Sequence, residues 1–198
     1  MFEFHIGGVR CRLSLLFPAL LTALLLAQPD GLAVACLLAA VLHEGGHLLA
    51  MLLLGIPPED CLLGAFGARI RLGSRLTGYK QNLVVSIAGP LINLLCGGIL
   101  WGCGCVVPAA VHLCLALINL LPAYALDGGE ILRCGLCLLG LGTVADRVVR
   151  ISSILVLLPL AIGGFWLVLR GKGNATLLIV SGYLVTLLFF SDKLQKNS

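Results

Sequence analysis

Charge is scarce in this sequence. Its 198 residues hold 13 Lys and Arg and 9 Asp and Glu, so 11% are charged, where a soluble domain carries about 25%. Hydrophobic residues make up 60% of the chain, and mean hydropathy is +1.09. So little polar surface excludes an ordinary soluble enzyme and leaves a polytopic membrane protein. A net charge of +4 gives no sign of a nucleic-acid partner. A secreted-type cysteine framework is lacking too. Among the nine cysteines, Cys36, Cys96 and Cys114 lie in apolar runs, where Cys packs as a small hydrophobe. Cys103 and Cys105 stand close together, and C-x-C lacks the second half of a zinc ribbon. The opening MFEFHIGGVRCRLSLLF has the short basic region of a signal peptide. No small-residue cleavage site precedes the next apolar span, so the segment is expected in the mature protein.

What the chain does have is long apolar runs. A lipid-crossing helix needs about 20 mostly apolar residues, and six stretches qualify in whole or part: 13–27, 32–54, 83–101, 106–121, 151–169 and 175–190. The patch from Ile131 to Leu141 is interrupted by Arg133 and glycines and reads as interfacial or re-entrant. Six spans put both termini on one side, and that side receives eleven of the 13 basic residues, leaving Arg170 and Lys172 opposite. The positive-inside rule then places the termini in the cytoplasm. No linker is long enough for another globular domain, so residues 1–198 read as a single all-α membrane domain. One exception is GAFGARIRLGSRLTGYK, from Gly64 to Lys80. There Ala68-Arg69-Ile70-Arg71-Leu72 alternates apolar and charged, as a half-buried strand or short hairpin does. That segment reads either as a basic loop gripping lipid headgroups or as a strand whose edge pairs with an extended peptide at Ile70.

The second span, AVLHEGGHLLAML from Ala40 to Leu52, carries two imidazoles and a carboxylate in an apolar run. Each ionisable group in mid-membrane costs ~2.5–3.5 kcal/mol on insertion scales. Three of them in five positions therefore imply a metal or an aqueous cavity. At 3.6 residues per turn, His43 and His47 share a helix face and can grip one ion. Glu44 stands beside the first ligand, placed to take a proton from an activated water. A catalytic zinc takes three protein ligands and one open position, and it brings the pKa of its water to about 7. Gly45 and Gly46 weaken the helix and suit close packing, with substrate access as an addition.

The third ligand has to come from elsewhere. INLLPAYALDGGEIL, from Ile118 to Leu132, is the best source: Pro122 breaks the fourth span, and Asp127-Gly128-Gly129 follows at its cytoplasmic end. Alone, Asp127 reads as an Asp-Gly turn; beside an incomplete zinc site it reads as the ligand.

H-E-x-x-H at 43–47, AGPLIN at 88–93 and N-L-L-P-A-Y-A-L-D-G-G at 119–129 together resemble the site-2 protease family of intramembrane metalloproteases. The three elements stand in family order. The resemblance implies one zinc per chain held by His43, His47 and Asp127, with Glu44 as general base and then acid. It implies too that Asn119 positions the substrate or stabilises the oxyanion. Within the family, the six-span layout with a cytoplasmic-side site is most similar to stage IV sporulation protein FB, a group that releases membrane-tethered sigma factor precursors. Two positions depart from the pattern, Leu120 and Ala125, where the family often has proline. The nucleotide-sensing CBS module of many sporulation members has no counterpart in residues 1–198.

Other residues read as structural. His112 stands seven residues before Asn119, roughly on its face, as a hydrogen-bonded histidine rather than a reserve ligand. Asn93 suits a bond across helices, with substrate contact as the second reading. Gly89 and Pro90 should kink the third span, and His5 reads as solvated. Trp101 and Trp166 suit the membrane interface.

The expectation is an integral protein of the bacterial cytoplasmic or forespore-surrounding membrane that cuts a membrane-tethered protein near the cytoplasmic side. Its partners would be the bilayer and regulatory membrane proteins. The rival readings are a metal transporter, disfavoured by the apolar fifth and sixth spans, and a catalytically idle scaffold, disfavoured by the complete His–Glu–His–Asp set.

Overall fold

The long apolar runs fold as helices. A computed structural model of the chain describes residues 2–6, 9–13, 31–56, 58–64, 67–72, 78–124 and 126–170. In chain order the elements are β1 (Phe2–Ile6), β2 (Val9–Leu13), α1 (Leu32–Leu53), β3 (Pro58–Gly64), β4 (Gly67–Leu72), α2 (Tyr79–Gly102), α3 (Val106–Asn119), α4 (Asp127–Leu138) and α5 (Gly142–Leu169). Helices α1, α2 and α5 are long and apolar enough to cross a membrane, and α3 is a shorter apolar helix. Their large side chains face outward, Leu53 at 80% and Leu155 at 68% exposed. That is costly in water and favourable in lipid, and the chain is an integral membrane protein. The expected spans 13–27 and 175–190 lie outside the described residues, apart from Leu13 at the end of β2.

Three helices end in the same way. Gly55, Gly104 and Gly140 each follow a helix with φ of +68°, +79° and +79°, a left-handed conformation that a Cβ disfavours. Their N–H groups, and those of the next residue, bond back to the orphan carbonyls of the last turn: Gly55 to Leu52 and Ile56 to Met51, Gly104 to Trp101 and Cys105 to Leu100, Gly140 to Cys137 and Leu141 to Leu136. These are Schellman endings, which satisfy carbonyls without water. Helix α3 stops differently, at Asn119, three residues before Pro122 and near where proline requires it.

The chain forms two compact units, Met1–Ile118 and Asn119–Ser198. In the first, small residues let α1 and α2 approach closely. A Cβ on Gly46 would stand 2.8 Å from the Ala88 carbonyl oxygen and 2.9 Å from Ile92 Cγ1. Ala50, Met51 and Val85 form a buried cluster nearby, flanked by Leu54 and Ala88. Helix α2 continues through Pro90, and Gly97 receives Leu113 of α3 in the same manner. Close packing of this kind replaces the hydrophobic effect, which lipid does not supply.

The first unit also contains a four-stranded sheet in the order β1-β2-β3-β4. Strands β1 and β2 pair antiparallel, as do β3 and β4, whereas β2 and β3 run parallel with Arg10 opposite Asp60. The strand expected at Ala68–Leu72 is β4, with Ile70 opposite Cys61, and among the described residues its other edge carries no strand. The sheet departs from the all-α expectation at the N-terminus. FEFHI and VRCRL alternate apolar and polar on either side of Gly7-Gly8, which is a hairpin pattern. Its charges had suggested a leader-like basic region instead.

In the second unit, Ala123 and Leu157 are buried together with Leu126 packed on them. Two serines of α5 fasten the segment before α4: Ser152 Oγ donates to the Pro122 carbonyl at 2.7 Å, and Ser153 Oγ accepts the Tyr124 N–H at 2.8 Å. At the far end of α5 the Arg170 guanidinium lies 4.0 Å over the Trp166 ring, as an interfacial anchor does.

The two adjacent glycines of α1 should respond oppositely to alanine. Gly46→Ala drives a methyl into the α2 backbone and should cost about 1–3 kcal/mol of stability. Gly45, with no described atom within 4 Å of a Cβ, should gain up to about 1 kcal/mol from better helix propensity. Thermal unfolding of the two variants in detergent reads the difference.

Candidate metal centre

His43 and His47 sit one turn apart on α1, buried at 6% and 9% exposure. Their Nε2 atoms are 3.2 Å apart and the rings stand edge to face at 86°. Two nitrogens each bound at about 2.0–2.1 Å to a tetrahedral zinc would stand roughly 3.3–3.4 Å apart. The pair is therefore already spaced as a chelate. Glu44, half-buried, is the next residue along the helix after His43.

What surrounds the pair turns both rings the same way. His47 Nδ1 donates to the Val85 carbonyl at 2.7 Å, which leaves its Nε2 lone pair for a metal. His43 Nδ1 lies 3.2 Å from the side-chain amide of Asn93, whose other end is 3.0 Å from His112 Nδ1. Asn93 is fully buried and His112 nearly so. Gly89 forms the floor, since a Cβ there would overlap the imidazoles of both His47 and His43. AGPLIN thus contributes twice: a bare backbone beneath the rings and an amide behind one of them.

Asp127 is the first residue of α4, where a carboxylate is favoured by the helix N-terminus. Gly128 and Gly129 follow because a Cβ on either would strike the carbonyls of Leu120, Leu121 or Ala123. One oxygen of Asp127 and one ring nitrogen each of His43 and His47 all lie within 4.8 Å of one another. Two imidazoles and a carboxylate are the donor set of a catalytic zinc that keeps a position open. His112 stands outside this group, as a hydrogen-bonded histidine. Asn119, half-buried, is the last residue of α3, and Ile70 lies in β4.

The rest of α4, which is not among the membrane-crossing helices, holds a tight ionic turn. Arg133 donates to Glu130 through Nε at 2.9 Å and a terminal nitrogen at 2.8 Å. Burial alone would raise the Glu130 carboxyl, but the Arg133 bonds and charge outweigh it and hold the pKa below its ordinary value. Burial, then the Glu130 charge, pushes the Cys134 thiol up to about 12, so it stays protonated and unreactive at neutral pH. A cavity of about 270 Å³ beside this turn is lined by Tyr124, Gly129, Glu130, Arg133, Asp146 and Val149. Its lining takes in none of the three metal-capable residues. The sequence reading missed the roles of Ser152 and Ser153, although a Ser-Ser pair in an apolar span was a visible signal.

The chain is similar to known proteins in fold and in sequence. The chain has the fold of the site-2 protease from Methanocaldococcus jannaschii: the TM-score is 0.68 at 22% identity, and 92% of each chain is covered. It is 33% identical over 171 residues to "Putative zinc metalloprotease sll0528" of Synechocystis sp. (strain ATCC 27184 / PCC 6803 / Kazusa). That match covers 71% of this chain and 44% of the relative, so the chain spans less than half the length of that relative. No family model matches.

The bare floor at Gly89 gives a direct test. Gly89→Ala puts a methyl in the space of the imidazoles, and because these neighbours are side-chain rings rather than backbone, they can turn aside at the expense of their orientation. Zinc affinity, measured by chelator competition on purified protein, should fall at least ~10-fold, the scale on which displaced ligand orientation acts.

Proposed function

We propose that this site-2 protease fold is an intramembrane zinc metalloprotease that hydrolyses a peptide bond of a membrane-tethered protein near the cytoplasmic face. The observation that carries the reading is the convergence of His43, His47 and Asp127 ligand atoms within 4.8 Å, on a fold shared with a solved site-2 protease. The relative's name, a zinc metalloprotease, supports the choice of zinc.

His43 and His47 from α1 and Asp127 from α4 would hold the ion. When bound, zinc supplies Lewis acidity to a carbonyl and acidifies a water. Glu44 acts as the general base, taking a proton from the attacking water, and then as the acid, delivering that proton to the leaving amine. The Asn119 side-chain amide is a donor suited to the carbonyl oxygen as negative charge develops on it. The substrate presents an extended backbone, and the edge of β4 around Ile70, which carries no strand among the described residues, offers main-chain groups for it to pair with. The burial of both imidazoles serves the chemistry, because electrostatic interactions strengthen where water is excluded.

Orientation follows from the basic residues. With both termini cytoplasmic, the Cys103-Gly104-Cys105 turn between α2 and α3 faces outward. Both cysteines are exposed and free. A membrane-impermeant maleimide should therefore label intact cells expressing the protein, and the Cys103→Ser/Cys105→Ser pair should remove that label. Labelling that appears only after the membrane is permeabilised reverses the topology.

The activity itself is tested in the native host with Glu44→Gln, which keeps the three ligands and removes the base. Cleavage should fall by ~10²–10⁴-fold. A membrane-bound precursor should accumulate in the membrane proteome and its soluble product should vanish from the cytosol. A sigma factor as that precursor would assign the sporulation role, and any other protein would assign a different branch. Unchanged proteomes alongside a phenotype for Asp127→Ala would favour metal transport or scaffolding.

A further inference from the structure

Both imidazoles of the metal centre have something behind them, and the two backings differ in kind. His47 faces the Val85 carbonyl, which can only accept. His43 faces the Asn93 amide, which carries an acceptor at one end and donors at the other. The amide stands with Nδ2 3.2 Å from His43 Nδ1 and Oδ1 3.0 Å from His112 Nδ1. Oxygen and nitrogen of an amide have nearly the same shape, so the hydrogen-bond network decides which end is which.

The network here has one consistent solution once the metal reading is adopted. A neutral imidazole has one N–H and one lone pair. If the His43 Nε2 lone pair serves the metal, as its 3.2 Å approach to His47 Nε2 indicates, the proton resides on Nδ1 and requires an acceptor. Asn93 Oδ1 must then face His43, which turns Nδ2 toward His112. His112 Nδ1 accepts that bond and carries its own proton on Nε2. The opposite arrangement puts a donor against His43 Nδ1 and forces the proton onto Nε2, where it blocks the metal.

We propose that Asn93 and His112 are positioning residues: His112 fixes the rotation of the Asn93 amide, and Asn93 Oδ1 in turn holds His43 as the tautomer whose Nε2 is free to bind zinc. The proposal rests on the zinc reading above and adds two residues to it. Burial gives the relay its force, because Asn93 and His112 are enclosed and no water can stand in for a lost partner. A backbone carbonyl cannot turn round, so His47 needs no such relay.

The test measures zinc affinity of the purified full chain by competition with a chromophoric chelator, with metal-free thermal unfolding recorded for each variant. Asn93→Leu removes the acceptor at similar volume and should weaken zinc by ~10–100-fold. Asn93→Asp offers His43 an acceptor whichever way it turns and should bind near wild type. His112→Phe leaves Asn93 in place but frees its amide, and should weaken zinc by ~10-fold. The decisive variant is Asn93→Asp/His112→Phe: a carboxylate needs no orienting partner, so zinc binding should return. A purely structural role for His112 predicts equal loss in both backgrounds, and that result overturns the relay, as does an Asn93→Leu protein that binds like wild type. If Asn93→Leu does not fold, the His112 pair still decides. Wild-type protein that takes up no zinc would refute the metal reading itself, and the relay with it.

Discussion

Every polar atom in this protein's apolar interior must find its partner within the protein, because hydrocarbon offers none. That constraint orders the rest of the structure. It explains why three helices close on glycine turns that recapture their own carbonyls. It explains why a serine pair secures the backbone around Pro122. It also explains why each buried imidazole has a group behind it. Where a soluble enzyme could leave a ring nitrogen to water, His43 and His47 are backed by Asn93 and Val85 of the neighbouring helix α2.

The candidate metal centre was legible in the sequence because it violates that constraint conspicuously. His43, Glu44 and His47 are expensive in an apolar run, and the expense pointed to a metal before any geometry was known. Pro122 followed by Asp127-Gly128-Gly129 was legible for a related reason: proline ends a helix on chemical grounds alone, and α3 does stop at Asn119. Helices α1 and α2 begin and end within four residues of the apolar stretches 32–54 and 83–101. Helix α5 starts at Gly142, nine residues earlier than its apolar core, because Asp146, Arg147 and Arg150 belong to a helix that hydropathy registers only where it becomes apolar.

What was not legible depends on partners distant in sequence. Asn93 was read as a cross-helix asparagine and His112 as a hydrogen-bonded histidine, but the sequence did not name their partners. Their bond to each other spans 19 residues and the one to His43 spans 50, and no local pattern reveals either. Gly89 was read as part of a kink, whereas its importance is the absence of a side chain beneath two rings. The N-terminal hairpin failed to register because four of its ten strand residues, Glu3, His5, Arg10 and Arg12, made it look like charged leader sequence. Alternation was the better signal.

The glycines of α1 and α2 bear on how this protein could be switched. Gly46 lies against the Ala88 carbonyl, and Gly89, the residue after it, lies against the imidazoles. One stripe along two helices therefore serves as both bearing surface and metal pocket. Turning α1 by a single residue, about 100°, would exchange glycine for a side chain against bare backbone at the first contact and withdraw the ligands at the second. Rotation of α1 would therefore overpack the contact at Gly46 before it carried the imidazoles away. Under the protease reading proposed above, a regulatory signal acting on this unit would bear on how a substrate approaches rather than on the histidine pair.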